Sequence, residues 1–182
     1  MNKARQVAFT GPIIALSVVL TRFASLRIAI GGVEGIRVGL GSLPNIMAGM
    51  LMGPLYGAVS GAAADVIGFI LSPMGGAYMP HFTLASGLMG ALPGLVFRAM
   101  RKSRAASRIP ELYRIAISVA AGVVLVSWGL TPYFLSTLFG VPRAVTMPPR
   151  ILAAIVEVPA YSVIIKAVSS SYVRLVASRR PA

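Results

Sequence analysis

Apolar residues run along the 182-residue chain in long blocks, separated by short polar or proline- and glycine-rich breaks. A helix needs about 20 apolar residues to cross a bilayer. The blocks predict helices at 6–24, 41–53, 54–72, 80–100, 112–138 and 147–173. The second block is too short to cross unaided. Pro54 follows Gly53 directly, which predicts a tight turn between the second and third helices. Pro73 with Gly75-Gly76 marks the break before the fourth helix, and Pro142 the break before the sixth. The pattern predicts an all-α membrane protein, a six-helix transmembrane bundle forming one domain over 1–182 with no long polar domain.

The first block needs a separate argument. Lys3 and Arg5 precede the apolar run Phe9–Leu20 as they do in a signal peptide. Arg22 and Arg27 follow at once, and apolar blocks continue to the C-terminus, so the segment reads as a retained first helix.

Composition agrees. Hydrophobic residues make up 57% and charged residues 12%, against roughly 45–50% and about 25% in soluble domains. A soluble globule, a disordered chain and a coiled coil are excluded. The net charge of +13 sits in clusters between apolar blocks. That placement points to membrane topology and anionic lipid rather than to nucleic acid. The chain has no cysteine, which excludes disulfides, iron–sulfur clusters and a cysteine nucleophile.

With the N-terminus in the cytoplasm, the basic residues on the inside are Lys3, Arg5, Arg98, Arg101, Lys102, Arg104, Arg108, Arg114, Arg174, Arg179 and Arg180. Those outside are Arg22, Arg27, Arg37, Arg143 and Arg150. The excess inside favours a multi-pass protein of the cell membrane with both termini cytoplasmic. Each outer arginine alone is read either as snorkelling to lipid phosphates or as part of a site. As a set, accompanied by Glu34, they make an outward-facing anion site, because guanidinium forks pair with carboxylates.

Asp65 interrupts the apolar stretch Val59–Leu71. A carboxylate inside a membrane is costly and marks a site by default. It accepts N–H donors of a ligand or pairs internally with an arginine. Glu157 precedes Pro159 in the last helix; proton coupling, a pair with Lys166 and a partner contact all stay open. Arg150 follows Pro148-Pro149 and is expected to cap the outer start of that helix, in a ligand-facing position. His81, the single histidine, has no acid or second histidine at metal-ligand spacing. Beside Tyr78 and Phe82 it suits a structural or ligand hydrogen bond, and no metal or other cofactor is expected.

Gly49, Gly53, Gly57 and Gly61 recur every four residues, a spacing that lets helix backbones approach closely. Gly11 and Ala15, and likewise Ala4 and Ala8, stand four apart and make a flat surface for helix docking. The P-loop pattern, H-E-x-x-H and G-x-S-x-G are absent. No enzyme is expected.

Several runs resemble one family. They are Arg37-Val-Gly-Leu-Gly-Ser-Leu-Pro44, Gly53-Pro54-Leu-Tyr-Gly57, Gly61-Ala-Ala-Ala-Asp65-Val-Ile-Gly68, and Ala77-Tyr78-Met-Pro80-His-Phe-Thr83. With Thr21-Arg22-Phe23 and Pro148-Pro149-Arg150, the pattern resembles the folate-specific substrate-binding (S) components of energy-coupling factor (ECF) transporters. The resemblance implies a vitamin-binding membrane subunit with no ATPase of its own, joined to a transmembrane coupling subunit and two ATPase subunits. It implies a docking motif A-x-x-x-A in the first helix. Gly11–Ala15 occupies it with glycine first, or the register begins at Ala8. His81 stands where the family pattern usually has glycine.

For folate, Asp65 suits the pterin N–H donors, Tyr78 and Phe82 suit ring stacking, and Arg22, Arg37 and Arg150 suit the two carboxylates of the glutamate tail. The alternatives are an S component for another vitamin, such as pantothenate, and a stand-alone channel or secondary transporter. A channel calls for a polar stripe and many secondary transporters for two similar halves. The sequence shows neither.

Overall fold

The computed structural model describes residues 3–23, 25–30, 33–71, 78–104 and 106–178, with side chains described over 10–21, 39–71, 78–104, 106 and 108–170. The expected break at Pro73–Gly76 lies outside the described residues. Helix α1 (Lys3–Phe23) leads into strands β1 (Ser25–Ile30) and β2 (Val33–Gly39). A 3-10 turn, Leu40–Ser42, then opens α2 (Leu43–Leu51), and α3 (Pro54–Leu71) and α4 (Pro80–Lys102) follow. After a second 3-10 turn at Ala106–Arg108 comes α5 (Glu111–Phe139), α-helical over Glu111–Gly122, π-helical over Val123–Leu130 and α-helical over Thr131–Phe139. The last helix is α6 (Arg143–Ser178).

The six predicted helices are therefore present, and two features differ from the prediction. The segment between α1 and α2 is an antiparallel hairpin, with Ser25 opposite Gly39, Ile30 opposite Val33 and a register shift between Ile28 and Ala29. Ile28, Ile30, Val33, Ile36 and Val38 flank Gly31-Gly32, a composition that favours strands around a glycine turn. A two-residue period over so short a segment is hidden beside apolar blocks of about 20 residues. The second difference is α6, which begins at Arg143. Arg150 lies two turns inside the helix rather than at its start, and Pro148 and Pro149 are within it. Membrane helices tolerate such prolines where side chains satisfy the freed backbone. Pro148 and Pro149 free only the carbonyls of Ala144 and Val145, four residues back in the first turn of the helix.

The turn between α2 and α3 needs glycine. Gly53 has φ +126°, a backbone region that side chains avoid. Its carbonyl accepts from the amides of Tyr56 at 3.0 Å and Gly57 at 3.2 Å. Beyond the turn, α2, α3 and α4 meet backbone to backbone. A Cβ added at Gly49 or Gly57 would strike the Gly90 carbonyl, one at Gly90 the Gly57 carbonyl, and one at Gly94 the Gly49 carbonyl. The four-residue glycine spacing thus serves helix packing.

The apolar core joins α2, α4, α5 and α6 through Ile46, Phe97, Ile115, Val119, Tyr161 and Ile165. Among the described residues, four helical segments are long and apolar enough to cross a membrane: Pro54–Leu71, Pro80–Lys102, Glu111–Phe139 and Arg143–Ser170. Leu55, Ile70, Leu152, Ile155 and Val156 are exposed on their outer surfaces, as a bilayer contact requires. The up-and-down order puts the ends of α3 and α5 and the starts of α4 and α6 at the hairpin end of the bundle.

Candidate ligand-binding site

At the hairpin end, glycines bring α3 and α4 together so closely that a Cβ at Gly61 would meet the Ser86 carbonyl. One turn further along α3, Asp65 faces the first turns of α4. The Thr83 hydroxyl donates to Asp65 Oδ2 at 2.7 Å, and the Ser86 hydroxyl donates to Oδ1 at 3.3 Å. Thr83 Oγ1 also lies 2.8 Å from the Tyr78 hydroxyl. Its one proton points to Asp65, so Tyr78 is the donor in that contact and the chain runs Tyr78 to Thr83 to Asp65. The Tyr78 ring is tilted against Phe69, with centroids 5.4 Å apart. A carboxylate has about four lone-pair sites, and two hydroxyls leave Asp65 capacity for further donors. Among the described residues its partners are hydroxyls, not an arginine.

Aromatic rings continue the wall. His81 meets the edge of Phe134 at 5.1 Å, and Phe82 stacks with Phe139 at 6.4 Å. Both contacts bind the start of α4 to the end of α5. Arg143 lies over the Tyr133 ring at 5.6 Å, and its Nε donates to the Ser136 hydroxyl at 3.4 Å.

The π-helical segment explains the position of Arg150. The Thr131 amide bonds to the Val126 carbonyl, five residues back. The Ser127 carbonyl would next look to residue 132, which is proline and has no N–H. That carbonyl accepts instead from Arg150 Nη1 at 3.3 Å, with the Ser127 hydroxyl 3.4 Å from the same nitrogen. The proline therefore leaves an acceptor for the guanidinium, which is buried with 8% of its surface exposed. The indole Nε1 of Trp128, next in sequence to Ser127, is a buried donor with no partner among the described residues.

Two turns further along α6, Glu157 Oε1 accepts the Gly39 amide at 2.9 Å. The Tyr161 hydroxyl donates to the carbonyl of the same glycine. Glu157 is seven residues from Arg150, on the same helix face, close enough for each charge to act on the other. Lys166 is exposed nine residues further on. Of the readings left open for Glu157, the described contact is with the hairpin backbone.

The structure thus gathers Asp65, Tyr78, His81, Phe82 and Arg150 at one end. Arg22 ends α1 and Arg37 lies in β2, with its Cα opposite that of Arg27; both side chains lie outside the described residues. On α1, Gly11 and Ala15 are exposed and a Cβ at Gly11 would meet open space. The side chain of Ala8 is outside the described residues. Sequence reasoning missed Ser86, Ser127, Trp128 and Tyr161 as members of this end, and it quoted Thr83 without a role. Thr83 is the one with a usable signal, a hydroxyl one turn into a helix that faces a lone intramembrane acid. Among the described residues no three histidine or acidic groups stand together as a metal site would require.

Comparison with known proteins fits this architecture. Residues 1–174 match the family model described as the ECF-type riboflavin transporter, S component. A curated relative, the folate transporter FolT of Clostridium novyi (strain NT), is 30% identical over 165 residues, covering 91% of this chain and 88% of the relative. A crystal structure of FolT bound with folic acid is similar with TM-score 0.67 at 26% identity, over 87% of each chain. The S component for biotin from an ECF-type ABC transporter is similar with TM-score 0.69 over 93% of this chain and 95% of that one; at 17% identity this likeness shows the fold alone. A bundle whose hairpin end gathers a lone acid, stacked rings and a buried arginine, matched by that model over nearly its whole length, belongs to the S components of ECF-type transporters.

Proposed function

We propose that the chain is the folate-binding S component of an ECF-type uptake transporter. The whole chain, 1–182, acts as one binding unit. It takes folate at the hairpin end, which faces outward with both termini cytoplasmic, and delivers it inward with a separate module of one coupling subunit and two ATPases. It does no chemistry on its cargo.

The observation that carries this reading is a pair of unlike charges at one end of the bundle, Asp65 on α3 and Arg150 on α6. Asp65, fed by hydroxyls of α4 and with lone pairs to spare, suits the N–H donors of a pterin. Arg150 on α6, together with Arg22 and Arg37, suits the carboxylates of a glutamate tail. Tyr78, His81 and Phe82 supply rings and a polar edge between them. The likeness to a folate transporter over 91% of the chain supports the same ligand. The exposed small surface at Gly11 and Ala15, with Ala8 on the same helix, is the proposed docking face for the coupling subunit.

The description of the matching family model favours riboflavin as a second reading. Riboflavin carries no carboxylate, so the arginines would have no anionic partner in it. Titration calorimetry of the purified chain with folate and with riboflavin decides. Folate is expected to bind and riboflavin to give no heat. Riboflavin binding without folate binding reverses the assignment.

A further inference from the structure

At the end of the bundle opposite the hairpin lies a cleft of about 360 Å³, lined by Met50, Leu51, Phe97, Arg98, Arg101 and Lys102. Half of its lining is cationic, and none of it is acidic. The chain has only four acids. Asp65 is toward the other end of its helix, Glu157 is midway along α6 against Gly39, Glu34 is in the hairpin, and Glu111 is exposed at the start of α5; none of them lines the cleft.

The three cations are not a basic tail. Arg101 and Lys102 are in the last turn of α4, where the helix dipole favours positive charge. Arg98 is one turn earlier, at the level where the apolar span ends. Its guanidinium lies against the α2–α3 turn, with Nη2 3.2 Å from where a Cβ would stand at Gly53. The glycine that makes the turn thus also gives the guanidinium room. Phe97 is buried beneath it, and Leu51 is exposed at the rim with 41% of its surface free. A cationic mouth, an apolar floor and a greasy rim at the edge of a membrane span suit an amphiphile with an anionic head.

We infer that this cleft holds the phosphate headgroup of an anionic membrane lipid, its acyl chains leaving past Leu51. Basic pockets between membrane helices bind such headgroups, and each basic residue near an anionic surface contributes roughly 1 kcal/mol, about fivefold in affinity. A soluble phosphate lacks the acyl chain that the apolar rim would hold.

The test uses the full chain in detergent, with native mass spectrometry and thermal unfolding in added phosphatidylglycerol or phosphatidylcholine. Phosphatidylglycerol is expected to stay bound and to raise the unfolding temperature more than phosphatidylcholine. Arg101→Gln with Lys102→Gln, both at exposed positions, should cut that preference by about fivefold per charge removed and leave folate affinity unchanged. Arg98→Lys, which keeps the charge, should retain most of the preference. Equal retention of both lipids by the natural chain overturns the inference, as does a preference the double variant keeps. Displacement of phosphatidylglycerol by millimolar inorganic phosphate reassigns the cleft to a soluble anion. Loss of co-purification with the ATPase module at unchanged lipid preference reassigns it to a protein partner.

Discussion

Gly39 and Glu157 are joined across 118 positions of sequence by one hydrogen bond, from the glycine amide to the carboxylate, 2.9 Å long. Tyr161, one turn beyond Glu157 on the same helix, donates to the carbonyl of the same glycine. Both poles of a single peptide residue are therefore held by α6, and through them the end of the hairpin and the start of α2 are fixed to the opposite wall.

Breaking either contact should loosen that attachment. Glu157→Ala leaves a part-buried amide unpaired and should cost about 1–3 kcal/mol of stability, while Tyr161→Phe should cost about 1 kcal/mol. Glu157→Gln keeps an acceptor and should cost less than Glu157→Ala. Thermal unfolding in detergent measures all three. Equal costs for the Gln and Ala variants would show that the charge matters and the amide contact does not.

Asp65→Asn replaces an anionic acceptor with an amide of nearly the same size. Folate affinity should fall by about 2 kcal/mol or more, because ligand donors would then face donors. Thr83→Val removes one hydroxyl that orients the carboxylate and should have a smaller effect. Calorimetry with unchanged affinity for Asp65→Asn would remove this acid from the site.

Arg22→Ala and Arg150→Ala should weaken folate binding more than binding of a pterin that lacks the glutamate. Charged hydrogen bonds contribute about 1.5–3 kcal/mol each, so the difference should approach tenfold or more. Equal losses for both ligands would mean that the arginine supports the fold. For Arg150 that outcome has a physical basis in its bonds to Ser127.

Gly11→Trp or Ala15→Trp should leave folate affinity of the isolated chain within a few-fold, since Gly11 faces open space and Ala15 is exposed. The same changes should abolish uptake and co-purification with the ATPase module, because bulk on a small-residue face holds helices apart. Loss of folate binding in the isolated Ala15→Trp protein would show that this face packs internally.

Gly90→Ala places a methyl group against the Gly57 carbonyl, a rigid neighbour. The variant should unfold more easily by about 1–3 kcal/mol, the usual cost of overpacking. Gly11→Ala, in open space, should cost far less, and comparing their melting temperatures checks both.

The helices were legible in the sequence because a membrane span is a long, uniform signal. Pro54 after Gly53 marked the turn, and the four-residue glycine spacing marked the α2–α3–α4 contact. The hairpin was not legible because six- and seven-residue strands vanish in a window sized for helices. Asp65 stood out because it is alone among apolar neighbours. Ser127 did not, because its part depends on a π-helical register that leaves its carbonyl without an amide. Pro132 is the cause of that gap, and its partner Arg150 is 23 positions from Ser127. Glu157 was visible as an intramembrane acid, but its contact is a backbone amide in an element the pattern did not reveal.

The shortness of α2 sets how far a cargo still has to go. Nine helical residues rise about 13 Å, while the hydrocarbon layer is about 30 Å thick. The Leu40–Ser42 turn above α2 therefore stands less than half a hydrocarbon layer from the far end of that helix, and Glu157, fourteen positions along α6 from Arg143, reaches Gly39 about 21 Å down that helix. On the proposed reading, folate held at the hairpin end stands above a helix shorter than half the bilayer.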